Sequence, residues 1–151
     1  MRQKIPRLYE TENVPLEKKM IYQRYEIKEL DFYWFIAELD EKKNLAFGYA
    51  NLNDDVCAEW GYIHVKELLK NGAKLDKEWR PCTYKEAMEK ITEERAKVEY
   101  FRKRYVELLK MLGDEKEPKS NAHVLDQLEG VERELYRLGQ HGWMEKVSRD
   151  T

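Results

Sequence analysis

The stretch CAEWGYIHVKEL, Cys57–Leu68, sets a thiol, an imidazole and carboxylates close together in an otherwise apolar run. Cys57, His64 and Cys82 are the residues that would share a metal ion. Zinc ligands come in pairs from tight turns, with about two to four residues between cysteines. Here six and seventeen residues intervene, and neither CxxC nor HxxxH occurs. No metal and no cofactor is expected. Nucleophilic catalysis needs Ser or Cys beside a base and an orienting group. Serine occurs only at 120 and 148, and the three histidines are scattered. GxSxG, a glycine-rich phosphate loop and HExxH are all missing, which excludes serine hydrolase, P-loop NTPase and zincin chemistry.

Two patterns survive that filter. Glu38 and Asp40 stand two apart on an expected strand and so point the same way, as a two-carboxylate site would require. In a chain with 30 acidic residues such pairs also arise by chance. The run FYWF (32–35), with Arg24 and Lys28 nearby, would suit base stacking if it lay on an exposed sheet face. Yet Phe32, Trp34 and Ile36 are apolar, and so are Tyr33, Phe35 and Ala37. A strand apolar on both sides reads as a central strand covered on two faces.

The elements that would hold these residues follow from periodicity. KMIYQRYEI (19–27), DFYWFIAELD (31–40) and NLAFGYANL (44–52) are aromatic and β-branched, separated by short polar turns, and read as an antiparallel meander. AEWGYIHV alternates and makes a fourth strand; VKELLKNG continues into a two-turn helix stopped at Gly72. Thr83 with Glu86 forms a capping box, opening a long helix to Leu112 with Gly113 as terminator. After the turn DEKEPKS, Val124, Leu128, Val131, Leu135 and Leu138 make a second apolar stripe, and Gly139 and Gly142 bracket its end. Two amphipathic helices with a short connection fold back as an antiparallel hairpin, on which Trp143 can pack. The expected fold is α+β: residues 1–82 as a small, mostly antiparallel sheet with a short helix, and 83–151 as the helical hairpin.

The 151 residues carry 28 Lys and Arg against 30 Asp and Glu, evenly interleaved, so no basic arm favours a phosphate backbone. No run of about 18 apolar residues and no leader-like N-terminus is present, so the expectation is a cytoplasmic protein without a membrane partner. With two cysteines there is no disulfide framework.

The blocks IPRLYETENVPLEKK (5–19), MIYQRY, YWFIAELD (33–40), FGY (47–49) and EWGYIHVKEL (59–68) occur in an order that resembles a plasmid and mobile-element family, the domain of unknown function twenty-nine fifty-eight. Its pattern reads close to LPxLYxTExxPLxxK, WTWYxxExD, FFG and ELGYFSLSEL. The resemblance covers about residues 5–80. The matching positions include Pro6, Tyr9, Thr11, Lys19, Trp34, Glu38, Asp40, Phe47, Gly48, Glu59, Gly61 and Tyr62, and no catalytic role attaches to them. His64 stands where the family has serine and Trp60 where it has leucine, which disfavours a catalytic His64. The helical hairpin lies outside the pattern.

Two functions are therefore expected, in order. The first is a non-enzymatic accessory or adaptor protein of a plasmid or virus. It would bind a protein partner or itself through the hairpin stripe Val124, Leu128, Val131, Leu135 and Leu138. The second is a nucleic-acid-binding or metal-dependent nucleic-acid-processing protein using the sheet. If a site exists there, Trp34, Glu38, Asp40, Glu59 and Tyr62 are its candidate positions.

Overall fold

The computed structural model describes residues 4–114 and 118–150. The fold is α+β, an antiparallel sheet followed by C-terminal helices. Two compact units divide at Lys90 and Ile91, within one long helix.

The first unit holds β1 (Met20–Ile21), β2 (Gln23–Ile27), β3 (Phe32–Asp40), β4 (Leu45–Leu52), β5 (Glu59–His64), α1 (Val65–Lys70), β6 (Lys74–Leu75) and β7 (Cys82–Thr83), then the first turns of α2 (Tyr84–Asp114). Five strands form one antiparallel sheet in the order β5-β4-β3-β2-β6, while β1 pairs with β7. Asp31, Asn44 and Asn53 sit at positive φ in the turns between strands, a conformation Asn and Asp tolerate better than most residues.

β3 is central and covered on both faces. On one face Ile36 packs with Tyr25, Ala46, Ile63, Val65 and Ala73, and Trp34, Leu39 and Leu68 flank them. On the other, Tyr33, Phe35 and Tyr49 stack with Trp79 and Tyr84. The β3–β4 register shifts between Ile36 and Glu38. This bulge moves Glu38 off the Trp34–Ile36 face and onto the Tyr33–Phe35 face, because one extra residue reverses the alternation. Opposite it, Gly48 has no alternative: a Cβ there would lie 1.8 Å from the Phe35 carbonyl oxygen.

The second unit contains the rest of α2, then α3 (Pro118–Arg137) and α4 (His141–Asp150). Arg104 meets Gln127 at 2.9 Å and Arg102 meets Gln140 at 2.9 Å, a falling number on α2 against a rising one beyond it, so α2 and α3 run antiparallel. α4 is a third helix that the apolar stripes did not announce, and Trp143 on it packs against Tyr105 with ring centres 5.7 Å apart. Two boundaries also differ from expectation. α2 continues through Gly113, and Pro118 opens α3, where its missing N–H would be unpaired in any case. Residues 115–117 of the expected turn lie outside the described residues.

The stripe expected to face a partner is instead the core of this unit. Val124, Leu128 and Leu135 are buried with Tyr105 and Leu108, and Val131 packs against them; Leu138 is half-buried. The physical reason is α4, which closes the side that a two-helix hairpin would leave open. Among the described residues no helix is long and apolar enough to cross a membrane.

Candidate functional site

Glu38 is the organising residue of the first unit. It is 3% exposed, and its carboxylate accepts the backbone N–H of Tyr9 at 2.8 Å, the backbone N–H of Thr11 at 3.0 Å and the Thr11 hydroxyl. Lys19, also buried, donates to Thr11 Oγ1 at 2.7 Å and to the Thr11 carbonyl, and its Nζ stands 3.9 Å from Glu38 Oε2. The ion pair is thus bridged by a threonine, with each member hydrogen-bonded. Such satisfaction is what makes a buried charge pair tolerable.

The group held in place is the N-terminal arm. Pro6 O accepts the N–H of Leu39 at 2.9 Å, so the arm covers the stretch of β3 that β2, which ends its pairing at Ile36, does not reach. Tyr9 adopts φ 72°, a strained value for a bulky residue. Both ends of that residue are tied, the N–H to Glu38 and the hydroxyl to Tyr62 Oη at 2.8 Å. The bond from Tyr9 pushes the Tyr62 hydroxyl above the usual tyrosine range.

From Tyr62 an aromatic ladder crosses β5 and β4. Phe47 meets Tyr62 edge-on at 5.9 Å and stacks on Trp60 at 5.8 Å; Trp60 then contacts Tyr84 at 5.0 Å. Lys19 Nζ lies 5.9 Å from the Phe47 ring. Tyr9 and Tyr62 are more than half exposed and Phe47 and Trp60 are half-buried, so the ladder ends in solvent beside β5. β5 is the outermost strand of its sheet among the described residues.

The five candidate positions are not brought together. Glu38, Asp40 and Tyr62 lie on the arm-covered face, whereas Trp34 and Glu59 lie on the other, as their registers with β4 require. Glu38 and Asp40 do not form a shared site either. Asp40 accepts the backbone N–H groups of Lys42 and Lys43 at 3.1 and 3.2 Å and closes the β3–β4 turn. Trp34 packs edge-on against Phe32 at 6.2 Å beside the core. Glu59 is exposed. A general base needs a free lone pair within reach of substrate; Glu38 is committed to the arm and Asp40 to its turn.

Tyr9, Thr11 and Lys19 are central here, yet residue chemistry alone did not single them out. Their signal was the block 5–19, whose motif residues converge on Glu38 from 19 to 29 positions away. The remaining chemistry-bearing side chains are dispersed. Arg24 pairs with Asp76 at 2.8 Å and lies 5.1 Å from the Trp79 ring, while Lys28 approaches Glu26 at 3.8 Å. Cys57 is exposed and Cys82 buried; the bond to Asp54 raises the Cys57 thiol pKa, which disfavours thiolate. Among the described residues no group of three or more His, Cys, Asp and Glu is arranged to hold a metal ion.

No protein-family model, curated protein or solved structure matches the chain.

Proposed function

We propose that the protein is a non-enzymatic accessory or adaptor protein acting through protein–protein contact, and that its contact surface is the open edge of β5 with the rings beside it. The observation that carries this reading is the asymmetry of the two sheet edges. β6 has two residues, one of them Lys74, and is blunted in the way natural edges usually are. β5 presents six residues without proline, lysine or bulge, pairing regularly from Leu45–His64 to Ala50–Glu59. Its one carboxylate, Glu59, stands at the first residue and on the opposite face from Trp60 and Tyr62, and an edge of this kind bordered by exposed aromatic rings is what β-strand addition by a partner uses. The apolar stripe of α3 gives no support, being spent within its own unit.

A plasmid or viral origin rests on the resemblance of residues 5–80 alone. The nucleic-acid alternative draws little from the site: Arg24 and Lys28, its basic neighbours, are engaged with Asp76 and Glu26, and the net charge is −2.

The test is affinity capture from the native host with the full chain and with Tyr62→Lys, which puts a charge guard on the edge. A protein retained by the unchanged chain and lost by the variant, at equal thermal stability, supports the reading. Equal retention by both, or retention of nucleic acid alone, overturns it.

A further inference from the structure

We propose that the edge partner is a second copy of this chain, with β5 pairing antiparallel to β5 about a twofold axis at Gly61 and joining the two sheets. This rests on the contact surface proposed above and names its occupant.

Backbone direction comes first. Val65 donates its N–H to Asn44 O at 3.1 Å, one step beyond the Leu45–His64 pair. Since the peptide groups of an antiparallel strand alternate sides, the N–H and C=O of Trp60, Tyr62 and His64 point away from β4. A twofold pair must match outward residues with outward residues on the same face. One register that does so sets Trp60 opposite Tyr62 of the second copy, on both sides of the axis, with Gly61 opposite Gly61.

The sequence is symmetric about that point. Trp60-Gly61-Tyr62 reads aromatic, glycine, aromatic in either direction, so each half meets an equivalent half. The axis position is a non-hydrogen-bonded pair, where Cα atoms approach to about 4.5 Å, and glycine brings no side chain into that gap. A Cβ built at Gly61 has nothing within 4 Å in a single copy, so the residue is not required by its own fold. The ladder Tyr84, Trp60, Phe47, Tyr62, which otherwise stops in solvent, would continue onto the rings of the second copy. Cross-strand aromatic pairs of this kind are among the favourable ones in sheets. The alternative register, centred on Tyr62, would put Trp60 opposite His64 and lose the symmetry of the motif.

The experiment is light-scattering mass measurement of the full chain over a concentration series, with three variants. Tyr62→Lys guards the edge. His64→Pro removes one outward N–H at a residue with φ −88°, which proline can nearly adopt. Gly61→Cys, in a Cys57→Ala background, reads the register, because about 4.5 Å between Cα atoms permits a disulfide. We expect a dimer for the unchanged chain and monomers for Tyr62→Lys and His64→Pro with an unaltered circular dichroism spectrum. Gly61→Cys should form a covalent dimer with mild oxidant. A monomer at every concentration, a dimer indifferent to both edge variants, or a failure of Gly61→Cys to cross-link overturns the inference. If the monomeric chain still captures a protein that Tyr62→Lys loses, the adaptor reading stands without this one; if it captures none, both fall.

Discussion

Glu38 Oε1 accepts the backbone N–H of Tyr9 at 2.8 Å across twenty-nine positions of chain. A buried carboxylate so placed tells the arm where to lie, and Lys19 offsets its charge from within the same arm. The two residues therefore act as one device, and so should their substitutions.

Glu38→Ala leaves Lys19 buried without its counter-charge and frees the amides of Tyr9 and Thr11. The expected loss is about 3–5 kcal/mol, as for other buried pairs from which one partner is removed, measured by urea unfolding. Combining Glu38→Gln with Lys19→Met should cost less than the sum of the single changes; strict additivity would show that the pair is not coupled.

Glycine is required at one position of the β4–β5 pair and dispensable at its neighbour. Gly48→Ala drives a methyl group into the Phe35 carbonyl, and we expect a loss of about 3 kcal/mol or more. Within a single copy Gly61→Ala meets nothing within 4 Å, so in the Tyr62→Lys background, where the edge is guarded, it should change stability by no more than about 0.5 kcal/mol. Thermal melts of the two variants side by side decide this, and equal effects would contradict the close approach.

Much of this architecture was readable from local pattern. The aromatic strands, the helix after His64 and the cap at Thr83 each announce themselves within a few residues, because propensity, periodicity and capping act at short range. The apolar stripe of α3 was equally visible, but an amphipathic face states only that something covers it. What covers it is its own unit, closed by α4, a short charged helix that begins after Gly139 and carries Gly142 within its first turn. The bulge before Glu38 was invisible for another reason. Strict alternation groups Glu38 with Trp34 and Ile36, and only the pairing with β4 reveals the extra residue. The arm's role depends on contacts spanning about a fifth of the chain, beyond any local rule.

The cap of α2 gives a pH signature. Glu86 accepts from the backbone N–H and hydroxyl of Thr83, and these bonds, the backbone one first, hold its pKa below the ordinary carboxylate value. A pKa depressed in the folded state contributes stability above the unfolded value and loses it as pH falls through the folded one. The difference in melting temperature between the unchanged chain and Glu86→Ala should therefore be full near neutrality and shrink on acidification. A difference that stays constant into the acid range would show that the charge of Glu86 plays no part.

The arm precedes β3 in the chain, yet its partners are Glu38 and the Leu39 amide. During synthesis it is made early and has nothing to dock on until the central strand has followed it. Its polar groups must stay hydrated through that interval, which suits its composition of charged residues and two prolines. Closure of the arm therefore requires β3 and, through the Tyr9–Tyr62 bond, β5 to be in place. Amide exchange at Tyr9 and Thr11 would be expected to track the integrity of the whole first unit and not of the arm alone.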